Sequence, residues 1–127
     1  NVLNKSLNER IKITQKTEIV DALRNFIEDS VKFANNKIDI LVNQNKKNVI
    51  VTISDDGPGF SNDIMQKLGQ PYLSSSEINL ERKGMGLGIF ISKNLLERTS
   101  AKLKFRNKKD SGAEIRISWT INQLQNL

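Results

Sequence analysis

Apolar residues recur along this chain with two different periods, and the periods predict where its helices and strands lie. Between Thr17 and about Ala34 they recur every three or four positions, which predicts an amphipathic helix capped by Thr17. The predicted apolar stripe of this helix consists of Ile19, Val20, Leu23, Ile27, Val31 and Ala34. Upstream, residues 9–14 alternate between polar and apolar, which predicts a short strand.

Two further alternating stretches predict antiparallel hairpins. In the first hairpin, strands over residues 37–43 and 49–54 are joined by a polar turn at residues 45–48. In the second, strands over residues 103–107 and 113–121 are joined by a turn that ends in glycine. Each hairpin is expected to supply two neighbouring strands of one sheet.

The segment between the hairpins contains two predicted helices and a loop. Ser61 is a suitable cap for a short helix over residues 62–68, and Gly86 opens a longer helix that ends near Ser100. Residues 69–83 contain a proline and three consecutive serines without periodicity, which predicts a loop. This order of elements predicts the α/β class, as a two-layer sandwich in which helices cover one face of a mixed, mainly antiparallel sheet.

Composition narrows the possible functions. The chain has 127 residues, the size of one domain, and contains neither cysteine nor histidine. Disulfides, thiolate metal sites, histidine-dependent triads and a phosphoacceptor histidine are therefore excluded within it. A net charge of +6 would suit a polyanion, but the basic residues are spread over turns and a strand without an aromatic ladder, which favours a solvated surface. No apolar run is long enough to span a bilayer, and a chain that starts at Asn1 is expected to be part of a longer protein.

A carboxylate and two glycines follow the first hairpin, in residues 55–60 (Asp-Asp-Gly-Pro-Gly-Phe). A buried carboxylate at Asp55 could accept a hydrogen bond from an exocyclic amine such as that of adenine. Gly57 and Gly59 would let the backbone approach a flat ring closely. Because Asp-Gly and Pro-Gly are also common turn formers, the motif alone fits an ordinary turn as well.

A second glycine-rich run, Gly84-Met85-Gly86-Leu87-Gly88, opens the second long helix. Backbone N–H groups at the N-terminus of a helix favour phosphate oxygens. The spacing matches neither the dinucleotide-binding fingerprint nor a P-loop, so neither of those nucleotide folds is predicted. Taken alone, the run could also be a flexible hinge.

Three polar residues of the first helix, Asn25, Asp29 and Lys32, share one face, which the periodicity places opposite the apolar stripe. An amide, a carboxylate and an ammonium in this arrangement could hold Mg²⁺ and steer a phosphate. The alternative is the solvated side of an amphipathic helix. The pattern of this helix alone does not distinguish a ligand-binding face from a solvated one.

Together the three motifs resemble those of the catalytic, ATP-binding domain of bacterial sensor histidine kinases, within the gyrase–Hsp90–kinase–MutL (GHKL) ATPase group. Residues 24–33 resemble the N box of that family, residues 55–60 its G1 box and residues 84–88 its G2 box. Residues 69–73 and 84–99 are most similar to RegB/PrrB-type redox-responsive kinases.

The resemblance extends over about residues 10–120, and it implies the Bergerat (GHKL) ATP-binding fold for a single domain of residues 1–127. The dimerisation and phosphoacceptor domain would lie outside this chain. The implied ligands are ATP and Mg²⁺.

The resemblance also implies roles for individual residues. Asp55 would bind the adenine amine, and the adenine pocket would be shaped by Gly57, Gly59 and Phe60. Asn25 would line the phosphate region and Lys32 would contact phosphate, as the two catalytic positions.

Other implied contacts lie in and around the second glycine run. Residues 84–88 (Gly84, Met85, Gly86, Leu87 and Gly88) would wrap the triphosphate. Tyr72 stands in the place of a family aromatic, within an ATP lid of about residues 61–83.

One position departs from the family pattern. The family usually has asparagine where this chain has Asp29, the Mg²⁺-binding position. A carboxylate is a good ligand for Mg²⁺, but it also brings negative charge toward a triphosphate. We expect nucleotide binding to depend unusually strongly on Mg²⁺.

The function implied by the resemblance is presentation of Mg-ATP for phosphoryl transfer to a histidine on the dimerisation domain, and from there to a response regulator. The isolated domain is expected to be a monomer that is inactive in transfer, cytoplasmic, without nucleic acid as a partner. Many sensor kinases are attached to the membrane. Related hydrolases have a glutamate base at the place of Asn25, and an amide cannot accept a proton, which argues for transfer over hydrolysis.

Two other classes remain open at this stage. One is a degenerate, non-catalytic nucleotide-binding module, in which Asp29 marks lost transfer. The other is a GHKL ATPase of the DNA-handling branch, which only the basic charge supports.

Overall fold

Four strands and four helices make up the described part of the chain, residues 17–69 and 87–127 of the computed structural model, with Leu87 described by its backbone alone. They are α1 (Thr17–Phe33), β1 (Ile38–Gln44), β2 (Asn48–Asp55), α2 (Asn62–Leu68), α3 (Leu87–Glu97), β3 (Lys102–Asn107), β4 (Ala113–Thr120) and α4 (Ile121–Gln125). The strand predicted at residues 9–14 lies outside the described residues. So does the loop predicted at residues 69–83, apart from its first residue.

The strands form one sheet in the order β1-β2-β4-β3, and each of these pairings is antiparallel. Side chains that face each other across antiparallel strands lie on the same face of a sheet. One face is therefore apolar and buried under the helices, with its centre formed by Val51, Ile53, Ile115, Ile117 and Trp119. The predicted two-layer α/β sandwich is confirmed.

The buried face of α1 differs from the predicted apolar stripe. The most buried residues of this helix are Ala22, Phe26 and Ser30, spaced four residues apart, whereas Val31 is 60% exposed. The prediction is confirmed for Ile19, Leu23 and Ile27, which are partly buried against the core, but it was wrong for Val31. The reason is that α1 packs against two elements, the sheet and α3, so its buried side is turned toward α3. Of the polar face predicted to be opposite the core, Asn25 and Asp29 are therefore half-buried, whereas Lys32 is exposed.

Aromatic rings connect the core to the loop that follows β2. The ring of Phe105 contacts those of Phe26 and Phe60 edge to face, with centroids 6.0 Å apart in both pairs. Edge-to-face pairs contribute about 0.5–1.5 kcal/mol beyond the area that they bury. Since Phe60 belongs to the loop, the packing of the core fixes the position of the loop.

The C-terminal helix α4 was not predicted. The last strand was expected to continue to residue 121, but it ends at Thr120, which caps α4. Thr120 and Gln123 form a reciprocal capping box, in which each side chain accepts a hydrogen bond from the backbone of the other residue. The Thr-x-x-Gln pattern was the available signal. By contrast, the predicted cap Ser61 does accept a hydrogen bond from the backbone N–H of Ile64.

Candidate functional site

Asp55 stands at the end of β2 with its side chain inside the domain, where it is 6% exposed. One carboxylate oxygen, Oδ1, accepts hydrogen bonds from the backbone N–H groups of Gly57 at 2.8 Å and Ala113 at 3.3 Å. The other oxygen, Oδ2, accepts no hydrogen bond from the described residues. No fully buried side-chain oxygen or nitrogen among those residues lacks a partner, so Oδ2 is not completely enclosed, and Asp55 is one of the residues that line a cavity. The chain thus holds Asp55 by one oxygen and presents the other.

The loop after β2 lies against the end of α1. A Cβ added at Gly57 would overlap the backbone carbonyl oxygen of Phe33, the last residue of α1, and would lie 3.1 Å from Oδ1 of Asp55. Gly59, with φ of +84°, faces the carboxamide of Asn107. Both glycines are therefore required by contacts within the protein, whatever a ligand adds.

The turn between β3 and β4 holds this loop from the other side. The Asn107 carboxamide accepts a hydrogen bond from the Phe60 N–H at 2.7 Å and donates one to the Phe60 carbonyl at 2.9 Å. The Ser111 hydroxyl donates to the Gly57 carbonyl at 2.7 Å. Sequence reasoning missed these contacts. A polar residue, Asn107, at the end of the inward-facing row of β3 was the one signal for them.

Asp56 connects the loop to the segment that leaves α1. Its Oδ1 accepts hydrogen bonds from the backbone N–H groups of Asn35 at 2.8 Å, Asn36 at 3.0 Å and Lys37 at 3.3 Å. The Asn35 side chain donates in return to the Asp56 carbonyl at 2.9 Å. These hydrogen bonds, led by the one from Asn36, lower the pKa of Asp56, because they favour the ionised carboxylate. The sequence analysis gave this residue no role.

A second carboxyl group, that of Glu114 on β4, also has a lowered pKa. The Arg106 guanidinium donates to both of its oxygens, at 2.6 and 3.1 Å, and this hydrogen bonding is the main cause. The pair joins β3 to β4 beside the turn that holds the loop. The stability that this ion pair contributes also requires the Glu114 carboxylate to be ionised.

Acidification is therefore expected to destabilise the domain. A lowered folded-state pKa contributes stability that is present above the unfolded pKa and is lost as the pH falls through the folded one. For Asp56 and Glu114 we expect the free energy of unfolding to start falling below about pH 5, as measured by urea unfolding from pH 7 to pH 3. Asp56→Asn should reduce that dependence on pH. A wild-type slope in Asp56→Asn would contradict the assignment.

A small cavity lies between α1, the loop, α3 and β4. Its volume is about 20 Å³, roughly the space that one water molecule needs. It is lined by Asp29, Ser30, Phe33, Asp55, Phe60, Ile89, Ala113 and Ile115. A carboxylate from α1 and a carboxylate from β2 thus meet in a largely apolar pocket.

Asp29 is half-buried at this cavity. Burial, the largest cause, raises the pKa of its carboxyl group, Lys32 opposes the rise and Glu28 adds to it. The Lys32 side chain is exposed, with its ammonium 5.7 Å from the centroid of the Phe33 ring, and it does not line the cavity. Asn25, one turn before Asp29, donates through Nδ2 to the hydroxyl of Ser92 on α3, at 3.2 Å.

The structure thus brings together some of the predicted site residues. Asp29, Asp55 and Phe60 line one cavity, and Gly57 and Gly59 belong to the loop beside it. Asn25 and Lys32 do not line this cavity, and Gly88 is exposed in the first turn of α3. The remaining predicted positions, Tyr72, Gly84, Met85 and Gly86, lie outside the described residues, as does the side chain of Leu87.

A protein-only metal centre is not present in residues 17–69 and 87–127, which contain no cluster of three or more acidic residues suited to a cation. Mg²⁺ is usually bound by one or two carboxylates together with phosphate oxygens and water. A single carboxylate at Asp29 fits such a shared site. None of the helices that the structure describes is long and apolar enough to cross a membrane.

Known proteins resemble this chain in sequence. Sensor histidine kinase RegB of Cereibacter sphaeroides is 32% identical over 129 aligned positions, which cover 88% of this chain and 28% of RegB. Sensor histidine kinase CssS of Bacillus subtilis is 31% identical over 97 positions, 76% of this chain and 20% of CssS. The chain therefore spans 28% of the length of RegB and 20% of the length of CssS.

Solved structures share the fold. The catalytic domain of histidine kinase ThkA, in a nucleotide-free form, superposes with a TM-score of 0.65 at 22% identity, over 84% of this chain and 69% of that one. Mycobacterial sensor histidine kinase MprB gives a TM-score of 0.63 at 17% identity, over 85% and 76% of the two chains. A family model for the histidine kinase-, DNA gyrase B-, and HSP90-like ATPases matches residues 14–123. With nearly the whole chain matched and the sandwich fold in common, this protein belongs to that ATPase family.

Proposed function

We propose that this chain is the ATP-binding catalytic domain of a two-component sensor histidine kinase. The observation that carries the proposal is the buried carboxylate of Asp55, which is held through Oδ1, has no partner for Oδ2 among the described residues and lines a cavity between the sheet and α1. Its relatives by sequence are named as sensor histidine kinases. The proposal assigns adenine recognition to Oδ2.

The adenine end of the site would work by hydrogen bonding inside an apolar pocket. Oδ2 of Asp55 would accept a hydrogen bond from the exocyclic amine, and Phe60 and Ile89 would contact the ring. A hydrogen bond to an ionised acceptor is worth about 1.5–3 kcal/mol, and an apolar surrounding strengthens it. Because the cavity now holds about 20 Å³, the walls would have to separate to admit a purine.

The phosphate end would be built from α1 and the start of α3. Lys32 has an exposed, flexible side chain that can turn from the Phe33 ring toward a phosphate. Asn25 already contacts α3 through Ser92, so it would link the two helices next to the triphosphate. Residues 84–88 would supply backbone N–H groups at the N-terminus of α3.

The chain would position ATP rather than hydrolyse it. Phosphoryl transfer depends mainly on positioning and charge neutralisation. The γ-phosphorus would leave the ADP oxygen and bond to a histidine nitrogen of the dimerisation domain, which this histidine-free chain cannot supply. A response regulator would then take the phosphoryl group. In this arrangement the domain would lie in the cytoplasm.

Asp29 is proposed to hold Mg²⁺ against the phosphates. One like-charge pair at about 5 Å and an effective dielectric of about 20 costs about 3 kcal/mol, which a bound cation offsets. Asp29→Asn should therefore bind ATP more tightly than the wild type without Mg²⁺, and its affinity should rise less when Mg²⁺ is added. Calorimetric titration of both proteins with ATP, with and without Mg²⁺, measures this. An equal effect of Mg²⁺ on both would refute the assignment.

The test of the proposed function has two steps. Calorimetry should show binding of ATP with Mg²⁺, and no heat with any adenosine nucleotide would overturn the proposal. Adding the histidine-bearing domain of the same protein with labelled ATP should then give labelled histidine. ATP binding without transfer would instead identify a non-catalytic nucleotide-binding module.

A further inference from the structure

We infer that the hydroxyl group of Ser30 is a second polar contact for the purine, donating a hydrogen bond to a ring nitrogen next to the amine that Asp55 accepts. This inference rests on the proposed function and adds a specificity-determining residue to it. Ser30 received no role from the sequence. It lies on α1, directly after Asp29, and lines the same cavity as Asp55.

Ser30 is a buried polar residue whose hydroxyl has no partner in the described part of the protein. The residue is 6% exposed. A serine within a helix often donates to the carbonyl four residues earlier, but the Ser30 hydroxyl makes no such bond to Phe26 and none to any other described residue. Since no fully buried side-chain oxygen there lacks a partner, the hydroxyl is not completely enclosed, and Ser30 is one of the residues that line the cavity.

The rest of the cavity explains why a hydroxyl there is informative. Apart from Ser30, its lining consists of two carboxylates and the apolar residues Phe33, Phe60, Ile89, Ala113 and Ile115. Ionised carboxylates only accept hydrogen bonds. Among the described lining residues, Ser30 is therefore the one side chain that can donate to a ligand.

Adenine has hydrogen-bonding groups that suit a site with one acceptor, on Asp55, and one donor, on Ser30. Its exocyclic amine is a donor, and a ring nitrogen on either side of it is an acceptor. Oδ2 of Asp55 would take the amine and the Ser30 hydroxyl would reach one of the ring nitrogens. Guanine has a carbonyl oxygen in place of the amine, which would face the carboxylate, so the pair selects adenine over guanine.

The test compares ATP with two analogues that each lack one of these ring nitrogens, 7-deaza-ATP and 1-deaza-ATP. Wild-type protein should bind one analogue about three- to tenfold more weakly than ATP, the loss expected for one neutral hydrogen bond. Ser30→Ala should weaken ATP binding by a similar factor and should bind that same analogue as the wild type does. Ser54→Ala, on the half-exposed outer side of β2, is the matched control and should change none of the affinities.

The outcomes separate this inference from the proposed function. If wild-type protein binds ATP but Ser30→Ala changes the affinity less than twofold, or weakens ATP and both analogues equally, the inference fails and the proposed function stands. If wild-type protein does not bind ATP, the proposed function itself fails. Because the hydroxyl makes no bond in the described protein, Ser30→Ala should keep the wild-type melting temperature. If Ser30→Ala has a lower melting temperature, the inference can still be refuted with the wild-type protein alone, by finding that it binds ATP and both analogues with equal affinity.

Discussion

Asp55→Asn is expected to lower the affinity for ATP by roughly ten- to a hundredfold without unfolding the domain. The substitution keeps one side-chain oxygen, which can still accept the hydrogen bonds from Gly57 and Ala113. What it removes is the negative charge and the second acceptor, since an NH₂ group takes the place of Oδ2. That group would face the adenine amine, so two donors would be opposed. Calorimetry with Mg-ATP measures the loss, and urea unfolding measures the stability.

Asp39→Asn is the matched control for this experiment. Asp39 is an exposed carboxylate on β1, on the face of the sheet away from the helices. Replacing it with asparagine changes the net charge by the same amount as Asp55→Asn does. The affinity of the Asp39→Asn protein for ATP should be within about twofold of that of the wild type, because exposed charges are screened by solvent and salt. Should Asp55→Asn bind ATP like this control, adenine recognition cannot depend on the carboxylate. An Asp55→Asn protein that fails to fold would show that the charge itself holds the loop.

Gly112→Ala is expected to have the largest effect on the fold, about 3 kcal/mol or more of destabilisation. Gly112 has φ of +105°, where a residue with a Cβ is strained. The added Cβ would overlap the backbone carbonyl oxygen of Asp55 and would lie 2.7 Å from its carbonyl carbon. Backbone cannot move aside as the end of a flexible side chain does. A fall of roughly 10 °C or more in the melting temperature is expected for a domain of this size.

Gly88→Ala provides the contrast. A Cβ at Gly88 would meet nothing within 4 Å, and the residue lies in the first turn of α3, where alanine is the better helix former. Its stability should equal that of the wild type or exceed it by up to about 1 kcal/mol. Equal melting temperatures in Gly112→Ala and Gly88→Ala would contradict the reading of the turn. The pair also separates a glycine needed by the fold from one proposed to serve the triphosphate.

Local patterns were sufficient to predict most of the secondary structure. Alternation gave both hairpins, because each strand buries one face, and Ser61 gave the start of α2, because a cap acts on the backbone next to it. The helix α4 also has a local signal, the capping box at Thr120, which was overlooked because apolar residues continue past the end of β4. Such elements are specified by neighbours within a few positions.

The face that α1 buries has no local signal of this kind. Ala22 and Ser30 are small, and small residues weigh little in a hydrophobic stripe, yet they are buried because α1 packs against α3 as well as the sheet. That packing turns Asp29 toward the cavity and leaves Val31 exposed. Periodicity measures the apolar character of a helix, but the number of neighbouring elements decides how wide its buried side is.

By itself, the sequence determined the hairpins, the order of the elements and the motifs around Asp55, since each depends on residues that are near one another in the chain. Tertiary structure alone decided which oxygen of Asp55 is held and which is presented, because the second restraint on it comes from Ala113, 58 residues away. It also decided that Asn107 joins the loop to β3, and that Asp56 joins it to the segment after α1. Hydrogen bonds between distant segments depend on where the fold brings those segments together, and no local pattern specifies that.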